Sequence, residues 1–159
     1  MVEINNTTKQ KINLKQISAL VEEFLRVYKK SSYTVSIALV GTTAMRRLNL
    51  ENRGIDRSTD VLSFSPASSA TRGKRGAPRP DWPEGEREKI LGEVVINLDE
   101  LKKTGNYRAL FKTLPSVDYL FKFILVHGLL HLVGYDDQRE PDRQAMLARG
   151  QRFLDRYYL

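Results

Sequence analysis

The hydrophobic pattern of this chain changes period repeatedly, and each change marks an element. Val2 and Ile4 alternate with polar residues, which predicts a short strand. Leu14, Ile17, Leu20, Val21, Phe24, Leu25 and Tyr28 recur every three or four positions, the signature of a helix with one core face. From Tyr33 to Val40 the period returns to two, with Val35, Ile37 and Leu39 set against Thr34, Ser36 and Ala38, so a strand is predicted there. Gly41-Thr42-Thr43 supplies a turn and a helix N-cap, and the helix it starts is expected to reach about Asn49. Asn52 to Asp60 reads as loop and Val61 to Ser65 as a short strand.

Farther on, Ile90 to Ile96 reads as a buried strand, and Leu98 to Lys103 as one or two helical turns ending near Gly105. The longest helix is predicted from Pro115 to Val133, started by Pro115 or Ser116 and ended by Gly134 in a left-handed conformation. A final amphipathic helix runs from Pro141 to about Tyr157, with proline tolerated in its first turn. Between the third and fourth strands, Pro66 to Glu88 holds four of the six prolines, several Ser and Gly, and almost no aliphatic residue. Its first half is basic and its second half acidic, so a flexible surface loop insertion at 66-88 is expected rather than a domain boundary. Strands and helices in irregular order predict an α+β fold in a single domain, 1-159.

Composition narrows the setting. The formal net charge of +7 favours a polyanionic partner such as nucleic acid or anionic lipid. The absence of cysteine excludes disulfides and thiolate metal sites, and it fits a reducing cytoplasm. The amino-terminal stretch lacks the apolar core of a signal peptide. The longest apolar run, around Phe123 to Val133, falls short of the ~20 residues a membrane span needs. A cytoplasmic protein with no membrane association is expected.

The chain's two histidines, His127 and His131, stand four positions apart within the predicted long helix. Positions i and i+4 share a helix face with Cβ atoms roughly 5–6 Å apart, so two imidazoles there can meet one metal ion. A catalytic zinc takes three protein ligands and leaves a position open. Gly134 permits the reversal that returns the chain to the helix end, and Asp136 and Asp137 follow it. Asp137 is the first choice for the third ligand, with Asp136 as substitute or outer partner. The plain alternative is a pair of histidines packed in the core without a metal. Gly128 occupies the place of the glutamate that serves helical zinc peptidases as general base, which argues against peptidase chemistry.

The segment His127-Gly-Leu-Leu-His-Leu-Val-Gly-Tyr-Asp-Asp137 resembles the signature His-Gly-x-Leu-His-Leu-x-Gly-Tyr-Asp-His of the YbeY family, bacterial endoribonucleases of ribosomal RNA maturation. Leu48-Asn-Leu-Glu-Asn-Arg-Gly-Ile-Asp-Arg-Ser-Thr-Asp-Val-Leu-Ser-Phe64 resembles that family's Leu-Asn-x-x-x-Arg-x-x-Asp-x-Pro-Thr-Asp-Val-Leu-Ser-Phe block, and Leu91-Gly-Glu-Val-Val-Ile96 resembles its Leu-Gly-Asp-Ile-x-Ile strand. The three blocks occur in family order. Two departures stand out: Asp137 replaces the family's third metal-ligating histidine, and the 66-88 loop looks longer than the family norm. Asp is a competent oxygen ligand, but it adds a negative charge and makes Mn²⁺ or Mg²⁺ more plausible beside Zn²⁺.

The resemblance implies a central mixed sheet of about four strands flanked by helices, with a metal site at the end of a long helix. It implies a metal-dependent, single-strand-specific endoribonuclease of 16S rRNA 3′-end maturation and ribosome quality control. One divalent ion, Zn²⁺ by expectation, would be held by His127, His131 and Asp137, with Arg53 and His127 as catalytic residues. Arg53 matches the family's functional arginine, and its chemistry suits bidentate contact with a phosphate. Thr59, Asp60 and Ser63 come with the same block, Asp60 as a turn cap or an orienter of Arg53. Ribosomal RNA and the small ribosomal subunit are the implied partners. Metal-activated water and the ribose 2′-hydroxyl both fit as nucleophile. The rival reading is a non-catalytic ribosome-associated assembly factor with a degenerate metal site.

Overall fold

A computed structural model of the protein describes residues 1–66 and 90–158. The proline-rich stretch expected as a loop, 66-88, therefore lies outside the described residues except for Pro66. The chain order is β1 (Val2–Asn6), α1 (Leu14–Val27), β2 (Thr34–Val40), α2 (Thr42–Arg53), β3 (Val61–Phe64), β4 (Ile90–Asn97), α3 (Leu98–Leu101), a 3₁₀ helix (Thr104–Leu110), α4 (Val117–Leu132) and α5 (Glu140–Tyr157). The four strands form one mixed sheet in the order β1-β2-β4-β3. β1 and β4 run parallel to β2, and β3 runs antiparallel to β4. The α+β expectation and the four-stranded mixed sheet are both met.

Alternation along the strands divides the core between the two sheet faces. Val35, Ile37, Leu39, Val94 and Ile96 point to the side packed by α1, α4 and α5, where most of the buried apolar residues lie. Val40, Leu62, Phe64 and Val95 point to the other side, where Met45 of α2 covers them. α4 is buried on nearly every side, from Leu120 through Leu132. That is why its sequence is apolar all round rather than striped. No helix among the described residues is long and apolar enough to cross a membrane.

Several boundaries differ from the sequence expectation. α2 continues past Asn49 to Arg53, so Arg53 ends a helix rather than sitting in a loop. Its N-terminus is not capped by a threonine side chain. Gly41 is the N-cap, and Asp99 of α3 accepts a hydrogen bond from the Thr42 backbone N–H at 3.2 Å. A tertiary partner has taken over a job that local sequence assigned to Thr42 or Thr43. The Leu98 segment stops at Leu101 and is followed by the 3₁₀ turn, which apolar periodicity did not mark. α4, expected to be the longest helix, has 16 residues and α5 has 18. Pro115 and Ser116 lie before α4, and Ser116 caps it by accepting from the Tyr119 N–H at 3.1 Å.

Candidate metal centre

Both histidines sit on the last turns of α4, and the third group arrives by a defined turn. The Tyr135 N–H bonds to the Leu130 carbonyl at 3.1 Å and the Gly134 N–H to the His131 carbonyl at 3.1 Å. This pair of bonds is a Schellman closure of the helix. It requires a positive φ after the helix, and Gly134 has φ +101°. The chain folds back, and Asp137 comes to lie beside both imidazoles. Its Oδ2 is 3.2 Å from His127 Nε2 and 3.6 Å from His131 Nε2.

One ligand atom from each of His127, His131 and Asp137 can be chosen so that all three lie within 4.8 Å of one another. A tetrahedral ion with bonds near 2.0–2.1 Å sets its ligands about 3.4 Å apart, so this spacing and the two-nitrogen, one-oxygen donor set fit one divalent ion. The side chains are 14 %, 16 % and 15 % exposed, shielded yet reachable. His131 Nδ1 lies 3.1 Å from the Tyr135 carbonyl oxygen. A carbonyl only accepts, so Nδ1 is the donor in this bond, and the ring is turned so that Nε2 faces Asp137. On His127, Nε2 meets the carboxylate as a donor, and a cation would take the place of that proton. Asp136 does not join the group. It is exposed, and its Oδ1 accepts from the Asp137 backbone N–H at 2.8 Å, shaping the turn that presents Asp137.

Gly128 faces the sheet. A Cβ built there would lie 2.6 Å from Val94 Cγ1, 3.2 Å from Val61 Cγ2 and 3.3 Å from Ser63 Oγ. α4 approaches β3 and β4 too closely for any side chain, so a glutamate at this position has no room. Ser63 Oγ donates to the Gly128 carbonyl at 3.0 Å and ties β3 to the helix one residue beyond His127.

The trio opens into a cleft of about 990 Å³, which is also lined by Arg53, Thr59, Asp60 and Ser63. The second sequence block is thus brought to the same cleft as the histidines. Gly54, with φ +69°, ends α2 just after Arg53. Asp60 is occupied structurally. Its Oδ1 accepts from the Val61 N–H at 2.8 Å and from Thr59 Oγ1 at 3.3 Å, and its Oδ2 accepts from the Tyr107 hydroxyl at 3.0 Å. Burial, then the Asp60 charge, pushes the Tyr107 phenol far above its ordinary range, so it stays protonated and donating. Sequence reasoning missed Tyr107 and also Arg143 of α5, which lines the cleft. Neither belongs to the blocks read from the sequence, and only tertiary packing brings them in.

The profile of the family described as endoribonuclease YbeY matches residues 3–158. A Desulforamulus reducens protein named endoribonuclease YbeY is 34% identical over 98% of this chain and 97% of its own length. One of the same name from Ligilactobacillus salivarius is 31% identical over 79% of this chain and 75% of its own. Among solved structures, a solution structure of a Thermotoga maritima protein superposes with TM-score 0.55 and 25% identity, covering 98% of this chain and 87% of that one.

Proposed function

The chain belongs to the YbeY family of endoribonucleases, and on that footing we propose that it cuts single-stranded RNA in 16S rRNA 3′-end maturation and ribosome quality control, as one cytoplasmic domain over 1-159 acting at the small ribosomal subunit. The observation that carries this reading is the convergence of His127, His131 and Asp137 in a cleft that Arg53 also lines. His127, His131 and Asp137 would hold a divalent ion, Zn²⁺ by expectation, which when bound would supply Lewis acidity toward a phosphoryl oxygen and lower the pKa of water at the site. The Tyr135 carbonyl accepts from His131 Nδ1 and so turns Nε2 toward the place an ion would take. Asp137 balances cation charge, and Asp136 with Gly134 fixes the turn that delivers it. The Arg53 guanidinium offsets charge gathering on the phosphate, a contact it can make through two parallel N–H groups. The net charge of +7 supports salt-dependent affinity for RNA.

The test strips the protein of metal, restores Zn²⁺, Mn²⁺ or Mg²⁺ singly, and follows cleavage of a single-stranded RNA carrying the 16S 3′ region. Restored wild type should cut, and His131→Ala should lose about a thousandfold in kcat, the scale of ~4 kcal/mol of transition-state stabilisation. Product ends identify the nucleophile: a 2′,3′-cyclic phosphate marks the ribose hydroxyl, and a linear end marks water. Equal rates for wild type and His131→Ala would remove the enzyme reading and leave the non-catalytic assembly factor.

A further inference from the structure

α5 turns Met146, Gly150, Phe153 and Leu154 into the core. Leu147 is partly buried against that core and lines the cleft. Arg143 stands one turn earlier on the same helix face, the i, i+4 relation, and lines the cleft as well. Its neighbours on the helix are committed elsewhere. Arg139 pairs with Asp142 at 3.4 Å, and the Arg149 guanidinium lies 4.4 Å from the centre of the Tyr135 ring. The Arg143 guanidinium has no ion pair or side-chain hydrogen bond among the described residues. It and Arg53 are the only Lys or Arg side chains among the described residues lining the cleft. The acids there are engaged: Asp60 by Tyr107 and Val61, Asp136 by the Asp137 N–H, and Asp137 by the two histidines.

A cleft of about 990 Å³ takes more than a lone phosphate. RNA brings one negative charge per nucleotide along its backbone, so a strand crossing the trio places further phosphates to either side of the one under attack. We propose that Arg143 holds a phosphate neighbouring the scissile one from the α5 side of the cleft, and so sets the strand's register over the metal trio. This rests on the RNA-cleavage reading above. Arg143 is a positioning residue that grips the same RNA strand at a different phosphate from Arg53. Loss of its charge therefore weakens substrate binding more than it slows the chemical step.

The experiment compares Arg143→Gln, Arg143→Lys and Arg152→Gln, the last an exposed cation on α5 that does not line the cleft. With the metal-loaded full chain and single-stranded RNA, Arg143→Gln should raise KM about five- to tenfold and keep kcat within about twofold, the effect of one exposed charge-assisted contact. Arg143→Lys should recover most of the loss, and Arg152→Gln should match wild type. The slope of log affinity against log salt, read by binding alone, should fall by about 0.7 in Arg143→Gln, the share of one phosphate on a single strand. Unchanged KM and salt slope in Arg143→Gln, with wild type cutting normally, overturn the assignment to Arg143 alone. If the salt slopes of wild type and Arg143→Gln differ as expected but wild type cuts RNA with none of the divalent ions, the endoribonuclease reading is overturned and the phosphate contact is kept.

Discussion

His127 and His131 ride on a helix that is buried along most of its length, whereas Arg53 ends a helix with only two buried residues, Met45 and Asn49. Behind the histidines stand α1, α3, α5 and two strands, and β3 is tied to α4 at Gly128. Behind Arg53 stand the small cluster of Val40, Met45, Leu62, Phe64 and Val95, the buried side chain of Asn49, and the Asp99 cap. A metal centre tolerates little error in ligand distance, and the proposed one would be built on the stiff arm. Arg53, proposed to contact a phosphate, has a long, adaptable side chain and stands on the lighter arm. The difference suggests that the two halves of the site can be damaged separately.

The heaviest blow to the stiff arm is Leu129→Ala. Leu129 is fully buried beside Gly128, and its truncation should cost about 3 kcal/mol of folding stability. Urea denaturation reads that cost, and metal titration should show weakened affinity, since the histidine turns relax with the helix. Unchanged metal affinity in a clearly destabilised variant would mean that the trio does not depend on α4 packing.

A smaller and more selective effect is expected on the lighter arm. Asn49 is 2 % exposed and its Nδ2 donates to the Arg57 carbonyl at 2.8 Å, holding the segment that follows Arg53. Asn49→Ala should cost about 1 kcal/mol, the net worth of such a bond. RNA cleavage should drop several-fold while metal affinity stays at the wild-type value. Equal losses in both would show that the arms are coupled.

The smallest effect concerns the seam between the arms, where Tyr107 holds Asp60 at the start of β3. Its phenol is raised above the ordinary value of 10.0, chiefly by burial. Below pH 10 folded and unfolded chains both keep the proton, so this group adds no pH slope. Above pH 10 the unfolded chain loses the proton and the folded chain keeps it, so stability falls as pH rises. Tyr107→Phe should be slightly less stable near neutrality and should close the gap on wild type above pH 10. Urea midpoints at pH 8 and pH 11 measure this, and parallel shifts would dismiss the linkage.

The local half of the site was legible in the sequence because its geometry is short-range. A four-residue spacing on a helix, a glycine that can take positive φ and an aspartate a few positions later define the trio almost without help from the rest of the chain. The period of the apolar residues likewise marked β1, β2, α1 and α5, whereas α4 showed only as an apolar run between Ser116 and Gly134. Tertiary structure alone decided which distant groups joined them. The order β1-β2-β4-β3, with β4 parallel to one neighbour and antiparallel to the other, sets β3 and the end of α2 beside the histidines. The Asp99 cap, the space-forced glycine at position 128, and the arrival of Tyr107 and Arg143 at the cleft have no local signature. They depend on non-local burial, in which many chain segments must pack at once before any one side chain meets its neighbour.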